Sequence, residues 1–158
     1  MNNINAINNI IKEHGWEYLT DEQKIIKAKD IWYRKIRKVS DDFENDRDGF
    51  VEWYLSHKKR VCHCCGVSED DVRRYFYNNK DNKKITRNGK RGYMLEIDKE
   101  NNFISEKPYN KGNMFLLCYV CNNAKSNFIN NYDDFKPISD GIKVFWDKEL
   151  KKQNTYGR

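Results

Sequence analysis

Apolar side chains recur at helical spacing through the first 60 residues. Isoleucines at positions 4, 7, 10 and 11 predict a first helix. Thr20-Asp21-Glu22-Gln23 matches a capping box and predicts that a second helix begins there and continues to Val39. Ser40 or Asp41 is a candidate cap for a third helix that continues to Leu55. Residues 1–60 are therefore predicted to be mainly helical.

After residue 60, short apolar runs alternate with polar segments. The capping signature Ser68-Glu69-Asp70-Asp71 predicts a short helix through Phe76. Further predicted elements are a strand at residues 93–98, a strand at 114–117, a helix at 121–129 and a closing helix at 138–152. Helices and strands in this order predict an α+β fold.

The length of 158 residues suits one compact domain, or a small domain with an added lobe. We expect one unit with three regions: a helical N-terminal region at 1–60, a core at 61–130 and a C-terminal helical extension at 131–158. A mean hydropathy of −1.02 argues against a membrane protein, and no apolar run reaches the roughly 20 residues of a spanning helix. The first residues lack the features of a signal peptide, so a cytoplasmic location is expected.

The net charge of +6 is concentrated in one segment. Residues 73–91 contain eight basic residues and one acid, a local charge of +7, so the rest of the chain is close to neutral. Such a segment suits contacts to the phosphates of double-stranded DNA, although a solvated lysine-rich loop would have the same composition. The candidate DNA-binding residues are Arg73, Arg74, Lys83, Lys84, Arg87, Lys90 and Arg91. The predicted second helix has another basic face, either solvated or a second DNA contact.

Four of the five cysteines form two equally spaced pairs, Cys62-x-x-Cys65 and Cys118-x-x-Cys121. Each C-x-x-C turn presents two thiolates to one ion, and zinc takes four such ligands in a tetrahedron. In a chain without a secretory signal, this spacing predicts a structural Zn²⁺ site rather than disulfides. Cys64 and His63 lie inside the first pair, and either could replace one of its cysteines as a ligand.

Further motifs surround the two cysteine pairs. Arg91-Gly92-Tyr93 precedes Leu95-Glu96-Ile97-Asp98-Lys99, and Gly112-Asn113 precedes the second pair. Asn122 and Lys125-Ser126-Asn127 follow it. In this order the motifs resemble the HNH, or ββα-metal, nucleases that have a four-cysteine zinc site, especially small phage and restriction-type members. The resemblance covers about residues 50–130 and implies a small ββα-metal core with zinc knuckles.

The resemblance implies a metal-dependent endonuclease that hydrolyses phosphodiester bonds in double-stranded DNA. By their places in the motif, Asp98 and Asn122 correspond to the two ligands of a catalytic Mg²⁺ or Mn²⁺ ion. Asn113 corresponds to the residue that positions the active-site loop and the base. Oxygen ligands suit these hard ions whereas thiolates suit zinc, so the two metals would occupy different sites.

The sequence departs from the family pattern at the general base. Lys99 stands where the family usually has histidine, and a lysine that is protonated at pH 7 cannot accept a proton. We expect Lys99 to steady the phosphate or the transition state instead. The base would then be His63, Tyr93 or a metal-bound water, in that order, although His63 could be a surface side chain and Tyr93 could serve packing. Cys64 occupies the place at which some relatives have a tyrosine.

These departures leave an alternative open: a catalytically impaired HNH-fold zinc protein that binds DNA without cutting it. The oligomeric state is open as well, because a restriction enzyme is usually a homodimer that matches the two-fold symmetry of its site. A phage-type nuclease could instead nick as a monomer. Residues 1–60 could form a dimer lobe or a second DNA clamp.

Overall fold

Five helices and a two-stranded antiparallel sheet make up the part of the chain that the computed structural model describes, residues 20–79, 91–103 and 105–156. This combination confirms the α+β prediction in its coarse form. The first predicted helix, with Ile4, Ile7, Ile10 and Ile11, lies outside the described residues. None of the helices in the described ranges is long and apolar enough to cross a membrane.

Helix α1 comprises Asp21–Ile31, a π-helical segment Trp32–Ile36 and a last turn Arg37–Val39. The predicted capping box is confirmed, because the Gln23 amide donates to the Thr20 hydroxyl and the Thr20 amide donates to the Gln23 side chain. The helix therefore begins and ends where the sequence pattern indicates.

Helix α2, Arg47–Ser56, begins later than predicted. Its cap is Asp46, whose carboxylate accepts a hydrogen bond from the Gly49 amide at 2.8 Å, and neither Ser40 nor Asp41 caps it. A Cβ atom at Gly49 would lie 2.0 Å from the Asp46 carboxylate, so the glycine makes room for this cap. Ser40 instead accepts a hydrogen bond from the Phe43 amide and stabilises the preceding turn.

Helix α3, Glu69–Asn78, begins at the predicted Ser68 cap, whose hydroxyl accepts from the Asp71 amide at 3.1 Å. Glu69 is 2% exposed and forms ion pairs with Arg60 at 2.9 Å and with Arg73 at 3.2 Å. Its carboxylate also accepts a hydrogen bond from the Leu95 amide at 2.8 Å. This buried carboxylate therefore ties helix α3 to the segment that leads into the sheet.

The sheet pairs strand β1, Glu96–Lys99, with strand β2, Met114–Leu117. Strand β2 has the predicted bounds, but β1 is shorter than predicted, because the Leu95 amide is bonded to Glu69 rather than to a neighbouring strand. Directly opposite pairs include Asp98 with Phe115 and Lys99 with Met114. Successive side chains of a strand point to opposite faces, so Asp98 and Lys99 lie on different faces of the hairpin.

Helix α4, Tyr119–Lys125, follows β2 directly. The predicted helix at 121–129 was placed too late, because the Cys118 thiol caps the helix and Ser126 ends it with a φ of 49°. Helix α5, Tyr132–Tyr156, begins earlier than predicted. The Asn131 side chain accepts from the Asp134 amide at 2.8 Å, and the helix accommodates Pro137.

The N-terminal helices are joined to the loop between β1 and β2. A bridge connects Ser40 with Pro108, and the Tyr109 amide donates to the Val39 carbonyl at 3.2 Å. The Lys35 ammonium donates to the Ile97 carbonyl at 3.4 Å, so helix α1 also lies along β1. These contacts place α1 beside the strand that carries Asp98 and Lys99.

Replacement of Glu69 tests its role as a buried anchor. We expect Glu69→Ala to reduce the free energy of unfolding by about 3–5 kcal/mol, because it leaves Arg60 and Arg73 without their buried partner. Asp70→Ala removes a partly exposed partner of the same Arg73 and is expected to cost less than about 1 kcal/mol. Urea unfolding of both variants measures the difference, and equal costs would contradict the assignment.

Candidate functional site

Four buried cysteines form the cluster that the C-x-x-C spacing predicts. The sulfur atoms of Cys62, Cys65, Cys118 and Cys121 all lie within 4.8 Å of one another, and Cys65 Sγ is 3.7 Å from Cys118 Sγ. Tetrahedral zinc with Zn–S bonds of about 2.3 Å requires sulfur atoms about 3.8 Å apart. The cluster can therefore hold a metal such as zinc, and its donor set fits that ion.

Backbone hydrogen bonds shape both halves of this cluster. In the first half, the Gly66 amide donates to the Cys62 carbonyl at 2.9 Å, and Gly66 has the positive φ of 75° that such a turn requires. The His63 amide donates to the Leu116 carbonyl at 2.8 Å and joins this turn to β2. In the second half, the Cys121 amide donates to Cys118 Sγ at 3.4 Å. The four sulfur atoms are thus held together by local structure on both sides.

The fifth cysteine, Cys64, is half-buried and lies outside the cluster. The pKa of the Cys64 thiol is raised to about 12, first by burial and then by the nearby Cys62 and Asp98. Hydrogen bonds from the neighbouring thiols, Cys118 first, lower the pKa of Cys62. Within the described residues, the group that could hold a metal therefore consists of the two predicted pairs and includes neither Cys64 nor His63.

Asp98 and Lys125 form a buried ion pair between β1 and α4. Lys125 is fully buried, and its ammonium lies 3.3 Å from Asp98 Oδ2 and donates to the Lys99 carbonyl at 3.0 Å. Asp98 Oδ2 has no hydrogen-bond partner among the described residues, because the ammonium is close but not aligned with it. This buried oxygen therefore has an unused lone pair, while its charge is balanced by Lys125.

Asn122 is the fourth residue of α4. Its amide nitrogen donates to Glu96 Oε2, and Arg91 Nε donates to Glu96 Oε1 at 2.7 Å. Glu96 and Asp98 lie two apart on one face of β1, and Asn122 and Lys125 lie three apart on one face of α4. The Glu96–Asn122 and Asp98–Lys125 pairs therefore lie side by side between β1 and α4.

Asn113 is buried and closes the loop between the strands. Its side-chain oxygen accepts from the Asn101 amide at 2.9 Å, and its nitrogen donates to the carbonyls of Asn101 at 3.0 Å and Pro108 at 2.7 Å. All three bonds are to backbone groups, so Asn113 fixes the shape of the loop. This geometry is consistent with the positioning role that the resemblance implies.

Lys99 lies on the opposite face of β1 from Asp98. Its ammonium donates to Asn127 Oδ1 at 3.3 Å and lies 5.3 Å from the centre of the Tyr109 ring. The Lys35 ammonium lies over the same ring at 4.1 Å. Two ammonium groups from different elements therefore meet at Tyr109.

The candidate bases differ in position. His63 is exposed, and its ring stacks on Phe115 with the ring centres 4.1 Å apart. Phe115 is the cross-strand partner of Asp98, so His63 lies near the Asp98 face of the hairpin. The protein packed against this ring lowers the pKa of His63. Tyr93 is buried against Phe76, which agrees with the packing alternative.

The predicted DNA-binding residues have different environments. Arg73 is 2% exposed and bound to Glu69, Asp70 and the Tyr93 carbonyl, so it stabilises the interior and is unavailable to a phosphate. Arg74 is half-buried, whereas Arg91 is exposed and paired with Glu96. The residues outside the described ranges are Lys83, Lys84, Arg87 and Lys90.

Sequence reasoning assigned no role to Glu96 or Lys125, although both lie in the motifs. Their spacing in the sequence was a usable signal. Glu96 is two positions from Asp98 on a strand, and Lys125 is three positions from Asn122 on a helix; each spacing keeps the two side chains on one face. Their pairing across β1 and α4 becomes visible only when the helix is placed on the hairpin.

Zinc content tests the cysteine cluster. We expect about one zinc per chain by elemental analysis in the wild-type protein and in Cys64→Ser, because Cys64 lies outside the cluster. Cys118→Ser should bind less zinc and unfold more easily, since it loses a metal ligand while its hydroxyl can still cap α4. Equal zinc loss in both variants would contradict this ligand set.

We compared the chain with protein-family models, curated proteins and solved structures, and none of them matches it. The likeness to HNH nucleases therefore rests on the sequence motifs.

Proposed function

We propose that this chain is a metal-dependent DNA endonuclease of the HNH type, which hydrolyses phosphodiester bonds in double-stranded DNA. The observation that carries the proposal is the antiparallel hairpin followed directly by α4, with Asp98 and Asn122 on the surfaces that face each other. This is the strand, strand, helix order that the ββα-metal resemblance implies. The cysteine cluster at the junction of β2 and α4 gives further support.

The two candidate ligands offer oxygen atoms suited to Mg²⁺ or Mn²⁺. Asp98 Oδ2 lacks a hydrogen bond within the described residues. A carboxylate such as Glu96 can only accept hydrogen bonds, so it directs the Asn122 nitrogen toward itself and leaves the Asn122 amide oxygen for another partner. Carboxylate and amide oxygens are the ligands that hard divalent cations prefer. The donor set therefore fits the implied metal.

The chain's own residues would orient the reaction around this site. A bound Mg²⁺ or Mn²⁺ supplies Lewis-acid chemistry at a phosphodiester oxygen. Lys125 holds the Asp98 carboxylate in place, and Glu96 fixes the orientation of the Asn122 amide. Asn113 holds the loop that follows β1. His63 remains the first candidate for accepting the proton of the attacking water, because it lies over the strand partner of Asp98.

One observation favours a second function, DNA binding without cleavage. Asp98 already has a cationic partner in Lys125, so its buried charge is compensated without a metal ion. A protein of this kind would keep the cysteine cluster and the basic surface but would not cut DNA.

Nicking of supercoiled plasmid in Mg²⁺ or Mn²⁺ tests the proposal. Asp98→Ala and Asn122→Ala should each lower the nicking rate about 100-fold or more, because each removes a metal ligand. Asn123→Ala is the matched control on the same helix, since Asn123 is exposed and bonded only to its own helix, and its rate should stay within about twofold.

The possible outcomes separate the two functions. Cleavage that survives both ligand substitutions would contradict the assigned metal site. Salt-sensitive DNA binding by the wild type, with no nicking in either metal, would favour the non-cleaving function instead.

A further inference from the structure

A cavity of about 270 Å³ lies between helix α1 and the segment that enters β1. Residues four positions apart on helix α1 form one wall of the cavity. The opposite wall is formed by the segment that enters β1, by β1 and by α4. The lining includes Lys27, Ile31 and Lys35 of α1, together with Arg91, Glu96 and Asn122. Residues 1–49 are not covered by the resemblance to HNH nucleases, so this wall has no counterpart in those motifs.

The cavity holds more positive than negative charge. Lys27, Lys35 and Arg91 line it, with Glu96 as the one carboxylate among its lining residues. Glu96 is already bound to Arg91 and to Asn122. Among the described residues, neither Lys27 nor Lys35 has a carboxylate within ion-pairing distance.

The Lys35 ammonium has weak partners only. It donates to the Ile97 carbonyl at 3.4 Å and lies over the Tyr109 ring, which it shares with the Lys99 ammonium. The Lys35 side chain is exposed overall, yet its pKa is lowered to about 8. Desolvation by the protein near the ammonium is the largest cause, Lys99 and Arg91 act in the same direction, and Asp98 and Glu96 oppose it.

Lys27 is in a similar situation on the same wall of the cavity. It is half-buried, and this burial lowers its pKa. Asp30 partly opposes the effect, but Asp30 is bound to Arg34 at 2.8 Å. A partly desolvated cation without a counter-charge is costly, and an anion in the cavity would offset that cost for both lysines.

We infer that this cavity binds a phosphate group of the DNA backbone, with the ammonium groups of Lys27 and Lys35 as its donors. That the phosphate belongs to DNA rests on the proposed nuclease function. The oxygens of a phosphate can accept hydrogen bonds from two ammonium groups and from the Arg91 guanidinium at once. Asn122 lines the same cavity, so the phosphate lies beside a predicted ligand of the catalytic metal. Helix α1 is thereby a wall of the DNA-binding cleft.

Inorganic phosphate is the probe for this site, titrated into the zinc-loaded full chain and followed by ³¹P NMR at constant ionic strength. The Lys27→Gln/Lys35→Gln variant should bind phosphate at least about tenfold more weakly. Lys29→Gln changes an exposed lysine of the same helix and should stay within about twofold of the wild type. Lys35→Arg keeps the charge and should retain binding. Circular dichroism and the melting temperature show that each variant is folded.

Three results would overturn the inference: equal affinity in the double variant, an equal loss in Lys29→Gln, or displacement of the phosphate by chloride at matched ionic strength. With duplex DNA, the logarithm of the association constant falls as the logarithm of the salt concentration rises. The steepness of this fall should be smaller by about 2 in the double variant than in the wild type. Phosphate binding without nicking by the wild type would contradict the nuclease and leave the cavity assignment intact. Nicking by the wild type, with unchanged phosphate and DNA affinity in the double variant, would contradict the cavity assignment alone.

Discussion

The four-cysteine cluster is the constraint on which the rest of the site depends. It joins the turn at Cys62–Cys65 to the junction between β2 and α4, two segments more than 50 residues apart in the chain. Cys118 is both a candidate metal ligand and the cap of α4, so the same sulfur sets where the helix begins. A metal held by these four thiolates would fix α4 on the hairpin, and with it the pairing of Asn122 with Glu96 and of Lys125 with Asp98.

Buried charge is arranged differently in two parts of the molecule. Glu69 is satisfied by two arginines and a backbone amide, which makes it a structural anchor. By contrast, Asp98 retains an oxygen without a hydrogen bond in the described part of the chain, and Lys27 and Lys35 lack carboxylate partners there. Incompletely satisfied groups of opposite sign close to one strand would suit the proposed neighbouring sites for a cation and a phosphate.

Local signals predicted much of the fold. The caps at Thr20 and Ser68 and the bounds of β2 follow from short sequence patterns, and they are confirmed. The cysteine cluster was predictable because each C-x-x-C turn is local. The wrong predictions are explained by long-range contacts. Strand β1 is shorter than predicted because the Leu95 amide is bonded to Glu69. Arg73 is buried and not a DNA contact because it is bound to that same carboxylate. The roles of Glu96, Lys125 and Lys35 depend on partners in other elements, which one sequence does not reveal.

The central claim is that Asp98 and Asn122 form an oxygen-ligated cation site separate from the cysteine cluster. Electron paramagnetic resonance of Mn²⁺, titrated into the zinc-loaded protein, tests it most directly because it counts bound manganese without requiring cleavage. We expect about one bound Mn²⁺ per chain in the wild type, lost in Asp98→Ala while the zinc content stays unchanged. No bound Mn²⁺ in the wild type, or equal binding in Asp98→Ala, would contradict it.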